Sequence, residues 1–174
     1  EYAFMGTHEG IVAVQAYPQI RIIDTIAGPL RGGATWRELK SFRHYLYSTS
    51  EQGGVRSGLG VADLSTLPDS VRYVGSFAIN GIAQYTAHTI SIDTARATAY
   101  LEGNTGTSSV YMMDLSNPEF PTAIGHFGTA GQLLGFSHRE SAADDLVGKF
   151  HLAWPAHGQE CPRMAHIELA LHQK

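Results

Sequence analysis

One strand-like segment occurs three times in this chain at nearly constant spacing. Its copies are Ile20-Arg21-Ile22-Ile23-Asp24-Thr25-Ile26, Val71-Arg72-Tyr73-Val74-Gly75-Ser76-Phe77 and Thr122-Ala123-Ile124-Gly125-His126-Phe127. Ile23 to Val74 is 51 residues, and Val74 to Ile124 is 50. A fixed period means that one supersecondary unit is built repeatedly, each copy burying its apolar face against the next. A period near 50 made of short strands points to a radial or stacked β array.

The third unit is the most complete. His88-Thr89-Ile90-Ser91-Ile92-Asp93 alternates polar and apolar residues, the pattern of a half-buried strand. Thr98 to Glu102 is a second strand, closed by the turn-rich Gly103-Asn104-Thr105-Gly106, and Val110 to Leu115 is a third. Pro118 and Pro121 force a turn, because neither donates to a ladder. Thr122 to Phe127 is the fourth strand. The second unit runs the same way through Trp36–Lys40, Tyr45–Ser48, Gly58–Ser65 and Val71–Phe77. The first unit holds only three strands, Tyr2–Gly6, Gly10–Gln15 and Gln19–Ile26, and lacks the inner one. Four antiparallel strands joined by short loops make one propeller blade. The expected fold is therefore all-β, a partial β-propeller over residues 1–130, with a blade remnant at 1–30 and blades at 35–78 and 87–128.

After residue 130 the composition changes. Residues 1–130 hold 30 Val, Ile and Thr, whereas residues 131–174 hold two, Val147 and Ile167. Five of the nine His fall in that last stretch. β-Branched and aromatic residues favour a pleated surface, so 131–174 reads as an atypical segment, irregular or partly helical. A short helix is expected over Met164 to Gln173. A shifted reading frame would produce such a change of language.

Composition excludes several functions. The net charge is −4 with no Lys/Arg cluster, so a nucleic-acid partner is not expected. No apolar run approaches the length of a membrane span. Cys161 is the only cysteine, which rules out an internal disulfide. The chain opens on Glu1 inside a strand-like run and reads as a piece of something longer, with no signal peptide visible.

The order Thr35-Trp36-Arg37-Glu38-Leu39-Lys40, then Gly58-Leu59-Gly60-Val61-Ala62-Asp63-Leu64, then His88-Thr89-Ile90-Ser91-Ile92-Asp93 with Ala99-Tyr100, resembles the LVIVD-repeat proteins. More narrowly it resembles the bacterial choice-of-anchor B group, over about residues 1–130. The resemblance implies a β-propeller carried on secreted or cell-surface proteins that end in one of several anchors. It implies no established reaction. A further blade opening with a His-Asp strand is expected next, and Gly131-Gln132-Leu133-Leu134-Gly135-Phe136 stands in its place.

In a propeller the first strand of each blade lines the central channel. This brings Trp36, Arg37, Glu38, His88 and Thr89 to the channel mouth, where an Arg, a carboxylate and an imidazole suit an anion, a sugar or a metal. The plainer reading, which we favour, is that they knit neighbouring blades through hydrogen bonds, with Trp36 packed between blades. Catalysis finds less support. There is no Gly-x-Ser-x-Gly pattern and no carboxylate pair at a glycosidase spacing. His157-Gly158-Gln159-Glu160-Cys161 and the histidines His151, His166 and His172 have no nucleophile or zinc register. Asp63 and Asp114 read as turn caps, not calcium ligands. Met112-Met113 reads as core filling. The leading expectation is a non-enzymatic module that binds a protein or glycan, without cofactor or metal. A propeller hydrolase or lyase using His88 with Glu38 or Arg37 is the alternative. An open arc also leaves blade faces and strand edges uncovered, which favours self-association.

Overall fold

The computed structural model describes residues 1–29, 37–79, 85–103, 110–127, 136–137, 147–150 and 168–170. Among them the fold is all-β, with no helix. Sheet 1 contains β1 (Tyr2–Gly6), β2 (Gly10–Gln15) and β3 (Arg21–Ala27) in that order. Sheet 2 contains β4 (Arg37–Phe42), β5 (Tyr45–Ser50), β6 (Leu59–Asp63) and β7 (Arg72–Phe77). Sheet 3 contains β8 (Thr89–Asp93), β9 (Thr98–Glu102), β10 (Val110–Asp114) and β11 (Thr122–Phe127). Each is an antiparallel meander, and the strands lie within a residue or two of the segments read from alternation.

All three sheets break register at one equivalent place. Val14 pairs with Ile22 and Ala13 with Asp24; Ala62 pairs with Tyr73 and Val61 with Gly75; Met113 pairs with Ala123 and Met112 with Gly125. The residues skipped are Ile23, Val74 and Ile124, the markers of the repeat. A β-bulge inserts one residue and turns its side chain out of strict alternation. Ile23 packs into the core shared by sheets 1 and 2, and Val74 into the core shared by sheets 2 and 3. Ile124, the equivalent residue of sheet 3, is 58% exposed.

Two apolar seams hold the sheets front to back. Ile11, Ala13 and Ile26 of sheet 1 meet Leu46 and Ala62 of sheet 2. Tyr47, Leu59 and Val61 of sheet 2 meet Ile90, Leu101 and Met113 of sheet 3. Neighbours along a strand face opposite ways, so Leu46 serves one seam while Tyr45 and Tyr47 serve the other. Burying a large apolar side chain contributes about 1.5–3 kcal/mol, and a lone sheet has no such partner surface.

Polar bonds repeat along the seams. Arg21 donates from Nη2 to the Pro68 carbonyl at 3.1 Å, and the Val71 amide donates to Asp24 Oδ2 at 3.1 Å. One sheet on, Arg72 reaches Glu119 Oε1 at 2.7 Å, and the buried Tyr47 hydroxyl donates to the Pro118 carbonyl at 2.7 Å. In each case a residue of one sheet holds the turn between the last two strands of the next, or the strand that follows it.

The C-terminal segment differs from expectation. β12 (Phe136–Ser137), β13 (Val147–Phe150) and β14 (Glu168–Ala170) form an antiparallel sheet in the order β12-β13-β14. The helix expected over Met164 to Gln173 is therefore corrected, since Glu168–Ala170 is a strand. Lys149 pairs with Glu168 and Val147 with Ala170. A short apolar run has no decisive period of its own, and ladder pairing with a distant strand decides its state.

Tyr47→Phe removes a buried inter-sheet hydrogen bond with little change of shape, and we predict a loss of about 1–2 kcal/mol in urea unfolding. Tyr100→Phe, at the equivalent position on the free face of sheet 3, should change stability by less than about 0.5 kcal/mol.

Candidate functional site

Trp36 lies outside the described residues. Arg37 and Thr89 open β4 and β8, with Glu38 and His88 beside them, so four of the five residues read as a mouth stand at one end of sheets 2 and 3. The end is held together across the seam by the Ile90 amide, which donates to Glu38 Oε2 at 2.8 Å.

The four do not converge on one point. Alternation turns Arg37 toward sheet 1 and Glu38 toward sheet 3. Arg37 Nε donates to the Thr7 carbonyl at 3.2 Å, and its Nη2 donates to Gln52 Oε1 at 2.9 Å. Burial lowers the pKa of its guanidinium from the ordinary value. Glu38 also lies 3.4 Å from Lys40 Nζ. His88 Nδ1 is 2.8 Å from Glu51 Oε1, and its backbone amide donates to the Glu102 carbonyl at 2.8 Å. Thr89 Oγ1 donates to Glu102 Oε2 at 3.1 Å. Gly103 sits at φ +66°, and a Cβ there would lie 2.5 Å from His88 Cβ, so glycine is what lets the strand end pass so close.

Sequence reading missed Gln52 and Glu102, and saw Glu51 only as a loop carboxylate without a partner. All three lie at or just past the end of a blade's second strand, and antiparallel pairing sets that end beside the start of the first. Glu102 pairs with Thr89, as Thr49 pairs with Glu38. The pairing register was the available signal.

A narrow cleft, open to solvent, lies where sheets 1 and 2 meet at this same end. Arg37, Ser48, Ser50, Arg56, Tyr73 and Ser76 are among the residues that line it. Arg56 Nη1 donates to the Ala27 carbonyl at 3.3 Å, and its guanidinium carbon lies 5.0 Å from the centre of the Tyr73 ring.

The aspartates at the strand ends cap turns. Asp63 Oδ1 accepts the Ser65 amide at 2.8 Å, and Asp114 Oδ1 accepts the Ser116 amide at 2.8 Å. Asp93 accepts from the Ala95 and Arg96 amides. Among the described residues no group of three or more His, Cys, Asp or Glu is placed to hold a metal ion. Met113 fills the core, while Met112 is half-buried on the free face of sheet 3. His151, His157, Cys161, His166 and His172 lie outside the described residues.

No family model matches the chain, and no curated protein matches it.

Two stability predictions follow from these contacts. Glu38→Ala strips the Ile90 amide of its acceptor and should cost about 1–3 kcal/mol in chemical denaturation. Thr49 Oγ1, opposite Glu38, is buried and unbonded among the described residues, so Thr49→Val should be neutral or stabilise by about 1 kcal/mol. Asp63 supplies a pH signature. Burial pushes its carboxyl up, but the Ser65 amide and the Arg72 guanidinium outweigh burial and hold it at about 2. A folded pKa below the unfolded value stabilises the fold above about pH 4 and loses that stabilisation as the pH falls through about 2. Acid titration of unfolding should show this loss, and Asp63→Asn should flatten it.

Proposed function

We propose that this chain is part of a β-propeller of the LVIVD-repeat kind, a non-enzymatic secreted or cell-surface module that binds a protein or glycan at the end where the inner strands begin. The observation that carries the reading is the repetition of one seam. The same bulge and the same apolar positions join sheet 1 to sheet 2 and sheet 2 to sheet 3, and inner strand β4 lies against inner strand β8. A step that repeats identically and keeps its inner strands together generates a ring when continued.

The free faces support the same reading. Met112, Tyr100 and Ile124 on sheet 3 are half-buried or exposed, where their equivalents Val61 and Tyr47 are covered and Val74 packs into the core. On the far side of sheet 1, Val12 and Val14 are half-buried, while Met5 and Ile22 are 56% and 67% exposed. Like sheets on either side would cover both sets.

Binding is favoured over turnover because these polar residues are held in place by neighbours, which leaves Arg37 with spare donors and poises no nucleophile. Arg37, Glu38 and Thr89 each satisfy a partner across a seam or within a sheet. The pairing of His88 with Glu51 favours a second reading, a hydrolase or lyase, since a carboxylate beside a ring nitrogen orients a general base.

Sedimentation tests the ring. The 18.8 kDa chain should self-associate through its free faces, and a heat-resistant monomer would contradict the reading. His88→Ala in the full-length protein separates the two functions. Loss of binding on a glycan and protein panel without turnover favours the module, whereas loss of turnover on esters or polymers with binding kept favours the enzyme.

A further inference from the structure

We propose that the cleft between sheets 1 and 2 is a binding site for a small oxyanion or carboxylate group, clasped between Arg37 and Arg56. It deepens the binding reading above by naming a ligand class at the same end of the sheets, yet it needs only these two sheets and not a ring.

The first argument is charge. A guanidinium carries five N–H donors. Arg37 spends one on the Thr7 carbonyl and one on Gln52 Oε1, both neutral acceptors, which leaves three. Arg56 spends one on the Ala27 carbonyl. Among the described residues neither arginine meets a carboxylate. Residues 30–36, which join sheet 1 to sheet 2, contain no Asp or Glu. Elsewhere in this molecule arginines at strand ends do find carboxylates, as Arg72 does with Asp63 and Glu119 and Arg96 does with Asp93. Arg21 and Arg43 meet no carboxylate either, but neither lines this cleft; Arg37 and Arg56 share it without a counter-charge among the described residues. Arg37 is half-buried, and an unpaired charge in that setting gains most from an anion.

The second argument is preorganisation. A Cβ on Gly28 would lie 2.7 Å from Arg37 Nη2 and 3.0 Å from Gln52 Oε1, so the guanidinium is threaded past bare backbone. Gln52 is buried and fixes its orientation. Arg56 adopts φ 75°, a left-handed conformation unusual for a residue with a side chain. Its carbonyl accepts the Ser76 hydroxyl at 2.6 Å, which pins that conformation. Strained backbone persists where surrounding contacts over-determine it, often beside a ligand. The strain here sets Arg56 against Tyr73 of sheet 2 and Ala27 of sheet 1, across the seam. Ser48 and Ser50 also line the cleft. Planar forks suit a carboxylate or sulfate with paired N–H···O bonds.

The test titrates the chain, at low ionic strength, with sodium sulfate, with glucuronate and with neutral glucose, following the Nε–H resonances of Arg37 and Arg56 by NMR. The expected result is saturable shifts at both arginines with Kd of about 1 mM for sulfate, glucuronate or both, and none with glucose. Sulfate alone would mark a free oxyanion as the ligand, and glucuronate alone an acidic sugar. Arg56→Gln should weaken binding about tenfold while leaving the unfolding midpoint near that of the parent, since Arg56 is exposed. Absence of saturation by either anion would overturn the proposal, as would equal binding of glucose or an affinity unchanged in Arg56→Gln. Such a failure leaves the ring to be judged by sedimentation, which does not depend on this cleft.

Discussion

The structure rests on sheets that cannot stand alone. Sheet 2 turns one apolar face toward sheet 1 and the other toward sheet 3, so it closes no core by itself. The bulge at Ile23, Val74 and Ile124 adapts the last strand to this demand. An extra residue there adds a side chain to the forward face, and in sheets 1 and 2 that side chain fills the seam. Where a neighbour is present, the fold gains apolar burial and polar bonds together. Ile124, the equivalent side chain of sheet 3, meets water.

This dependence also shapes the polar end. Consecutive residues on β4 face different sheets, so Arg37 and Glu38 are drawn to different seams despite their adjacency. What reads on paper as a converging cluster becomes a row of cross-links. The chemistry left over sits where the cross-links do not exhaust their donors, on the guanidinium of Arg37 and on Arg56 in the same cleft. Structure and recognition therefore share one residue, with Thr7 and Gln52 holding Arg37 in place and its remaining N–H groups left to the cleft.

Much of this was legible in the sequence because it is local. Alternation located the strands of the three sheets, and the spacing of Ile23, Val74 and Ile124 marked the repeat, while the bulge at those positions is visible only in the pairing register. The roles of Asp63 and Asp114 followed from the turns they precede. What was not legible depends on pairing across the chain. Glu51 reaches His88 over 37 residues, and Tyr47 reaches Pro118 over 71. Arg56 sits in a loop of Gly and Ser with no period at all, so nothing local marked it as lining a cleft with Arg37. The strand at Glu168–Ala170 is another such case, set by its ladder with β13.

The central claim is that the seams make neighbouring sheets one cooperative unit. Native-state hydrogen exchange measures this most directly, because each ladder amide reports the free energy of the opening that exposes it. The account predicts that amides of β5 and β6 in sheet 2 and of β9 and β10 in sheet 3 exchange through a single opening with a common free energy. Separate openings, with one sheet exchanging well before the other, would contradict it.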